Sequence, residues 1–180
     1  MSSLNSLRTK FEAKGNELFV KKAPFQIPEN GRKTLVQWSP WISLVVGLFG
    51  LLASLFLWQA AHTVNTIVTY VNSYNYSAPV QHLGLFFWLS MLALLFSSVL
   101  MLASVPGLKN RSKSRGWDLA MLGVLFNFVY GLVYVFSSLG GGLGRLIGSL
   151  ISLVIGLYLL FQIRSFYTDK VVKSETPKKD

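Results

Sequence analysis

The sequence predicts an all-α membrane protein: a bundle of four transmembrane helices, both termini cytoplasmic, with a short amphipathic N-terminal segment. Three observations carry that prediction. Apolar residues make up 52% of the chain and charged residues 13%, about half the charged share of a soluble domain. The apolar residues lie in four long blocks rather than dispersed, which a soluble core does not require. The basic residues behind the net charge of +10 sit beside those blocks, the placement that sets membrane topology rather than a nucleic-acid surface. No nucleic-acid partner is expected. Cysteine is absent, which removes disulfides, thiol catalysis and thiolate metal sites.

Residues 1–37 read as a basic cytoplasmic segment with seven Lys/Arg against three Glu. No secretory signal is visible, because the first apolar run starts only near Trp41. Leu4, Leu7, Phe11 and Leu18 fall near one helical face, with Arg8, Lys10, Lys14, Lys21 and Lys22 around them. Thr9 and Glu12 have capping-box spacing. Two readings stand: a short helix on the inner leaflet, or a solvated tail, since Gly15 weakens a helix. Pro24 and Pro28 bracket an extended link.

The transmembrane domain covers residues 38–164, with spans at about 41–61, 83–105, 118–137 and 143–163. Each is long enough for the roughly 30 Å of hydrocarbon at 1.5 Å per residue. Ser39-Pro40 reads as the start of the first span, a capping hydroxyl followed by proline. Pro106-Gly107 reads as the stop of the second. Trp38, Trp41 and Trp117 mark inner interfaces and Trp58 an outer one.

Orientation follows from the charges. Segment 62–82 has no Lys, Arg, Asp or Glu, whereas 106–116 holds Lys109, Arg111, Lys113 and Arg115. The turn 138–142 is uncharged, and the tail 165–180, after Arg164, is basic. Positive charge resists translocation, so the basic segments stay inside, where they meet anionic lipid headgroups. Arg145 is the exception, placed at the outer boundary where its long side chain reaches the headgroups. The expected location is a bacterial cytoplasmic membrane. In the outer loop, Val64, Ile67, Val68 and Val71 recur at helical spacing, which predicts an outward continuation of the first span or an interfacial helix. Asn75-Tyr76-Ser77 matches a glycosylation acceptor, a pattern common by chance.

The most distinctive pattern lies in the fourth span, where Gly140, Gly144, Gly148, Ser152 and Gly156 recur every fourth residue. Small residues at that spacing let another helix backbone approach closely. Tight packing inside one bundle and self-association both account for it. Gly47 and Gly50 of the first span, and Gly123 and Gly131 of the third, are the candidate facing surfaces. Asn127 lies near the centre of the third span, and a buried amide there is either hydrogen-bonded helix glue, the expected role, with Ser90, Ser97, Ser98, Ser149 and Ser152 as candidate partners, or a substrate contact. His62 and His82 flank the outer loop; two imidazoles with no outer carboxylate make a poor metal site, so interfacial histidines are expected. With Arg145 they form a candidate outer mouth.

No Asp, Glu, Lys or Arg falls at mid-membrane depth, and neither a Gly-rich phosphate loop nor an H-E-x-x-H motif occurs. No catalytic residue, metal or cofactor is therefore assigned. The expected function is a non-enzymatic assembly, accessory or membrane-organising protein packed through its glycine-lined helix, with a homo-oligomer or another membrane protein as partner. The alternative is an oligomeric transporter or channel for a small neutral or anionic solute.

Overall fold

The computed structural model describes residues 2–74, 79–110, 115–136 and 142–167. Those residues are helical with short links and contain no strand. Helix α1 spans Ser2–Asn16 and passes into a π-helical turn at Glu17–Lys21. Four helices follow: α2 (Glu29–Tyr74), α3 (Leu85–Asn110), α4 (Arg115–Val135) and α5 (Gly142–Ile163). All four are long and apolar enough to cross a membrane.

Helix α2 corrects the predicted start at Ser39-Pro40. It begins at Glu29, ten residues' worth of polar helix earlier, and runs through Pro40 for 46 residues, about 69 Å. Proline removes the N–H that would bind the carbonyl four residues back, at Val36. Ser39 Oγ donates to that carbonyl at 3.0 Å, which replaces the missing bond and lets the helix continue. Ser39 Oγ also lies 2.9 Å from the Tyr167 hydroxyl, tying this point to the chain after α5. Pro106 likewise falls inside α3, so the predicted stop there gives way to a helix ending at Asn110. Beyond the apolar stretch, α2 continues to Tyr74, so of the two readings of 62–82 the helix follows the continuation of the first span rather than a separate interfacial helix. Asn72 exchanges two hydrogen bonds with Val80 (2.9 and 2.7 Å) and Asn65 accepts from Leu83 N (3.0 Å), so residues 80–83 return along the helix. The Asn75-Tyr76-Ser77 pattern lies outside the described residues.

The helices pack in chain order. Helix α3 lies along both α2 and α4, and α4 along α5, while α2 barely touches α5. Small residues set the closest approaches. A Cβ on Gly47 would meet the Leu102 side chain, and one on Gly50 would strike Ser98 Oγ. Gly123 receives Met101 and its carbonyl accepts from Ser97 Oγ at 2.9 Å. Gly47, Gly50 and Gly123 thus all face α3 rather than the α5 stripe. Gly107 of α3 and Gly116 of α4 bring their backbones into direct contact.

Two clusters of buried side chains close the ends. Val36, Leu108, Trp117, Phe161 and Tyr167 gather where both ends of the described chain meet; Ala61, Leu83, Phe87, Met91 and Tyr134 gather at the far end. Trp117, read from sequence as an interfacial anchor, is 1% exposed and donates Nε1–H to Leu160 O at 2.7 Å. Trp38, Trp41 and Trp58 are exposed.

The N-terminal segment docks on the end of α5. Gly15 is buried under the Phe161 ring, and Phe19 stacks on that ring with centroids 5.7 Å apart. The glycine read as a weak point for the helix is therefore the site of its closest packing. Glu12 pairs with Arg164, and Gln162 donates to Phe19 O at 2.8 Å. Thr9 lies within α1, so the Thr9/Glu12 spacing does not cap a helix start.

Candidate functional site

Because α2 and α5 barely meet, a groove of about 540 Å³ runs between them, floored by α3 and α4. One wall is the α2 face Leu35, Ser39, Ile42, Ser43 and Val46; the other is α5 from Gly148 to Ile163. Leu108 and Met101 of α3 and Ala120, Val124 and Asn127 of α4 line the floor. The positions on α2 follow a three-to-four-residue spacing, which keeps them on one side of the helix. The lining contains no titratable side chain. It offers an apolar trough with a few hydroxyls and one amide, suited to binding apolar matter and unsuited to moving a proton.

Asn127 faces this groove about midway along α4. It makes no side-chain hydrogen bond among the described residues. Four of the five serines named as its partners bond elsewhere: Ser90 to Phe87 O, Ser98 to Leu94 O and Ser149 to Leu146 O, each within its own helix, and Ser97 to Gly123 O; the fifth, Ser152, lines the groove with Asn127 without a hydrogen bond to it.

The small-residue stripe of α5 divides. Gly156 sits against Val124 of α4, where a Cβ would lie 2.9 Å from Val124 Cγ1. Among the described residues, nothing lies within 4 Å of the position a Cβ would take on Gly144 or Gly148, and Ser152 is exposed. Residues four apart advance about 400° around a helix, so the stripe turns progressively and its two ends face different neighbours. Gly131 of α4 does meet α5, through Ser149 rather than through a stripe glycine. Gly140 lies outside the described residues.

At the far end, Arg145 is held by two tyrosines. Its Nη2 donates to the Tyr130 hydroxyl at 2.8 Å, and its guanidinium carbon lies 3.9 Å from the Tyr134 ring centroid. Cation–π attraction and a hydrogen bond stabilise a charge where the charge pattern otherwise excludes one. His62 packs between Trp58 and Trp88, with centroids 5.0 and 5.9 Å away, and His82 is exposed in the returning segment. No group of three or more metal-ligating side chains occurs among the described residues.

At the end where both ends of the described chain meet, Lys109 and Arg115 are exposed, and Arg164 is engaged with Glu12 and the Trp117 ring. Arg111 and Lys113 lie outside the described residues. Sequence reasoning passed over Arg32. Its signal was its register: it stands one turn before Leu35 and two before Ser39, on the groove face of α2.

No protein-family model, curated protein or solved structure matches this chain.

Proposed function

We propose that this is an integral membrane protein crossing the bilayer four times with both termini cytoplasmic, which acts by helix–helix assembly rather than by catalysis. The observation that carries the assembly reading is the empty space beside Gly144 and Gly148, with Ser152 exposed below them. Small residues in a membrane helix permit close backbone approach, and here no described helix of the same chain uses that permission. Asn127, at the depth of Ser152, offers an incoming helix a hydrogen bond. The partner is a second copy of the chain, through the outer half of α5.

Fluorescence energy transfer between labelled copies, diluted over a range of lipid-to-protein ratios, tests this. The wild-type protein is expected to associate, and Gly148→Leu to weaken association about tenfold, equivalent to about 1.4 kcal/mol. A monomer at every dilution, or an unchanged constant in Gly148→Leu, would remove the reading.

The orientation rests on the basic segments 1–37, 106–116 and 165–180 against the uncharged 62–82. Since the chain has no native cysteine, each introduced thiol reports alone. A membrane-impermeant thiol reagent is expected to label Ser73→Cys in intact cells and to leave Lys109→Cys unlabelled until the cells are opened. The reverse pattern inverts the topology.

A further inference from the structure

We propose that the groove seats one anionic phospholipid of the cytoplasmic leaflet, its acyl chain between α2 and α5 and its phosphate on Arg32. The proposal rests on the membrane reading and orientation above but not on self-association.

Length is the first support. The groove follows α2 from Leu35 to Val46, about 17 Å, and α5 from Ile163 back to Gly148, about 22 Å. One leaflet contributes half of a hydrocarbon core of about 30 Å. The trough thus runs along the helices for about the depth of one leaflet, and its walls are almost wholly aliphatic. An unfilled gap of this kind forfeits dispersion contacts on both walls, and in a bilayer the matter at hand to restore them is an acyl chain.

Charge is the second and independent support, and it favours a headgroup whose phosphate is not already offset by a cation of its own. Arg32 continues the groove face of α2 one turn beyond Leu35, toward the terminal end. The residue is half-buried, so its charge is held in place rather than swinging freely. Its guanidinium makes no hydrogen bond or ion pair among the described residues, and its Nε is buried without a partner. The acid on the same turn, Glu29, is engaged by Lys33 at 2.8 Å; the hydrogen bond and charge of Lys33 hold its carboxyl below the ordinary range, with a smaller pull from Arg32. A guanidinium with unused donors lacks an anionic acceptor, and a phosphate matches its fork geometry. At the end of a groove one leaflet deep, a lipid phosphate is the anion present at the right level.

The test uses the full chain in nanodiscs of phosphatidylcholine doped with phosphatidylglycerol carrying a diazirine on one acyl chain. After irradiation, adducts are mapped by peptide. Adducts are expected on 35–46 and 148–163, with labelling by phosphatidylglycerol about tenfold above that by a diazirine phosphatidylcholine. Arg32→Gln is expected to abolish the difference, and Arg32→Lys, which keeps the charge, to retain most of it. Equal labelling by the two lipids in the wild type overturns the site, as does a preference that survives Arg32→Gln. Protein–protein adducts in the groove in place of lipid adducts overturn it in favour of a second copy. Gly144→Leu, on the small-residue stripe but outside the groove lining, separates this proposal from self-association: it is expected to lower energy transfer between copies while leaving the lipid preference intact, and a joint loss overturns an intramolecular seat.

Discussion

Gly116→Val is expected to lower the stability of the folded protein by about 3 kcal/mol or more, the upper end for overpacking a closed contact. The reason is the crossing of α3 and α4. A Cβ added to Gly107 would lie 2.6 Å from Gly116 Cα and 2.8 Å from its N, and one added to Gly116 would strike the Gly107–Leu108 peptide. Both obstacles are backbone, so no side-chain rotation relieves them; the helices must separate. Separation costs contacts along the most extensively packed pair in the molecule. Gly144→Val supplies the control, because no described residue lies within 4 Å of a Cβ at that position. Denaturation in detergent micelles reads the difference, and equal midpoints for Gly116→Val and Gly144→Val would refute the contact. The pair Gly107→Ala with Gly116→Ala should cost less together than the sum of each alone, since the first separation relieves the second clash.

The same contact shows what the sequence could and could not convey. Four apolar helices were legible because hydrocarbon thickness demands about twenty uncharged residues and the chain supplies them four times. Their ends were less legible. Polar residues 29–37 are helical because they continue an apolar helix, and Pro40 does not end α2 because Ser39 replaces the lost hydrogen bond. Spacing identified the small residues but not the neighbour each one meets. Gly47, Gly50 and Gly123 receive α3, and Gly107 and Gly116, outside every periodic pattern singled out, bring backbone directly against backbone. The groove was illegible for a deeper reason. It is a space left where α2 and α5 do not meet, and no residue pattern encodes an absence of contact. Arg32 then becomes informative only once the groove is in place beside it.

The N-terminal segment and the groove are linked through the end of α5. Ile163 lines the groove while its neighbours Phe161, Gln162 and Arg164 hold residues 12–19. Tyr158 adds a bond to Phe25 O at 2.7 Å, so the strap continues toward the start of α2. The chain's first helix therefore braces the helix that forms one wall of the groove.

Two forces supply that brace, and their magnitudes differ. Phe161 packs edge-on against Trp117 at 5.4 Å, stacks on Phe19 and covers Gly15, and it is 2% exposed. Phe161→Ala is expected to cost about 3–5 kcal/mol, the range for deleting a buried aromatic ring whose cavity cannot collapse. The Arg164–Glu12 pair keeps side-chain exposures of 22% and 16%, so solvent screens part of its attraction. Arg164→Gln, which retains size and hydrogen-bonding capacity, is expected to cost about 1 kcal/mol. Hydrogen exchange separates the two. Phe161→Ala should release the amides of residues 9–21 to fast exchange while α3 and α4 stay protected; Arg164→Gln should speed the same amides only slightly. If Arg164→Gln frees the segment as fully as Phe161→Ala, the ion pair rather than the aromatic packing holds the first helix to the bundle.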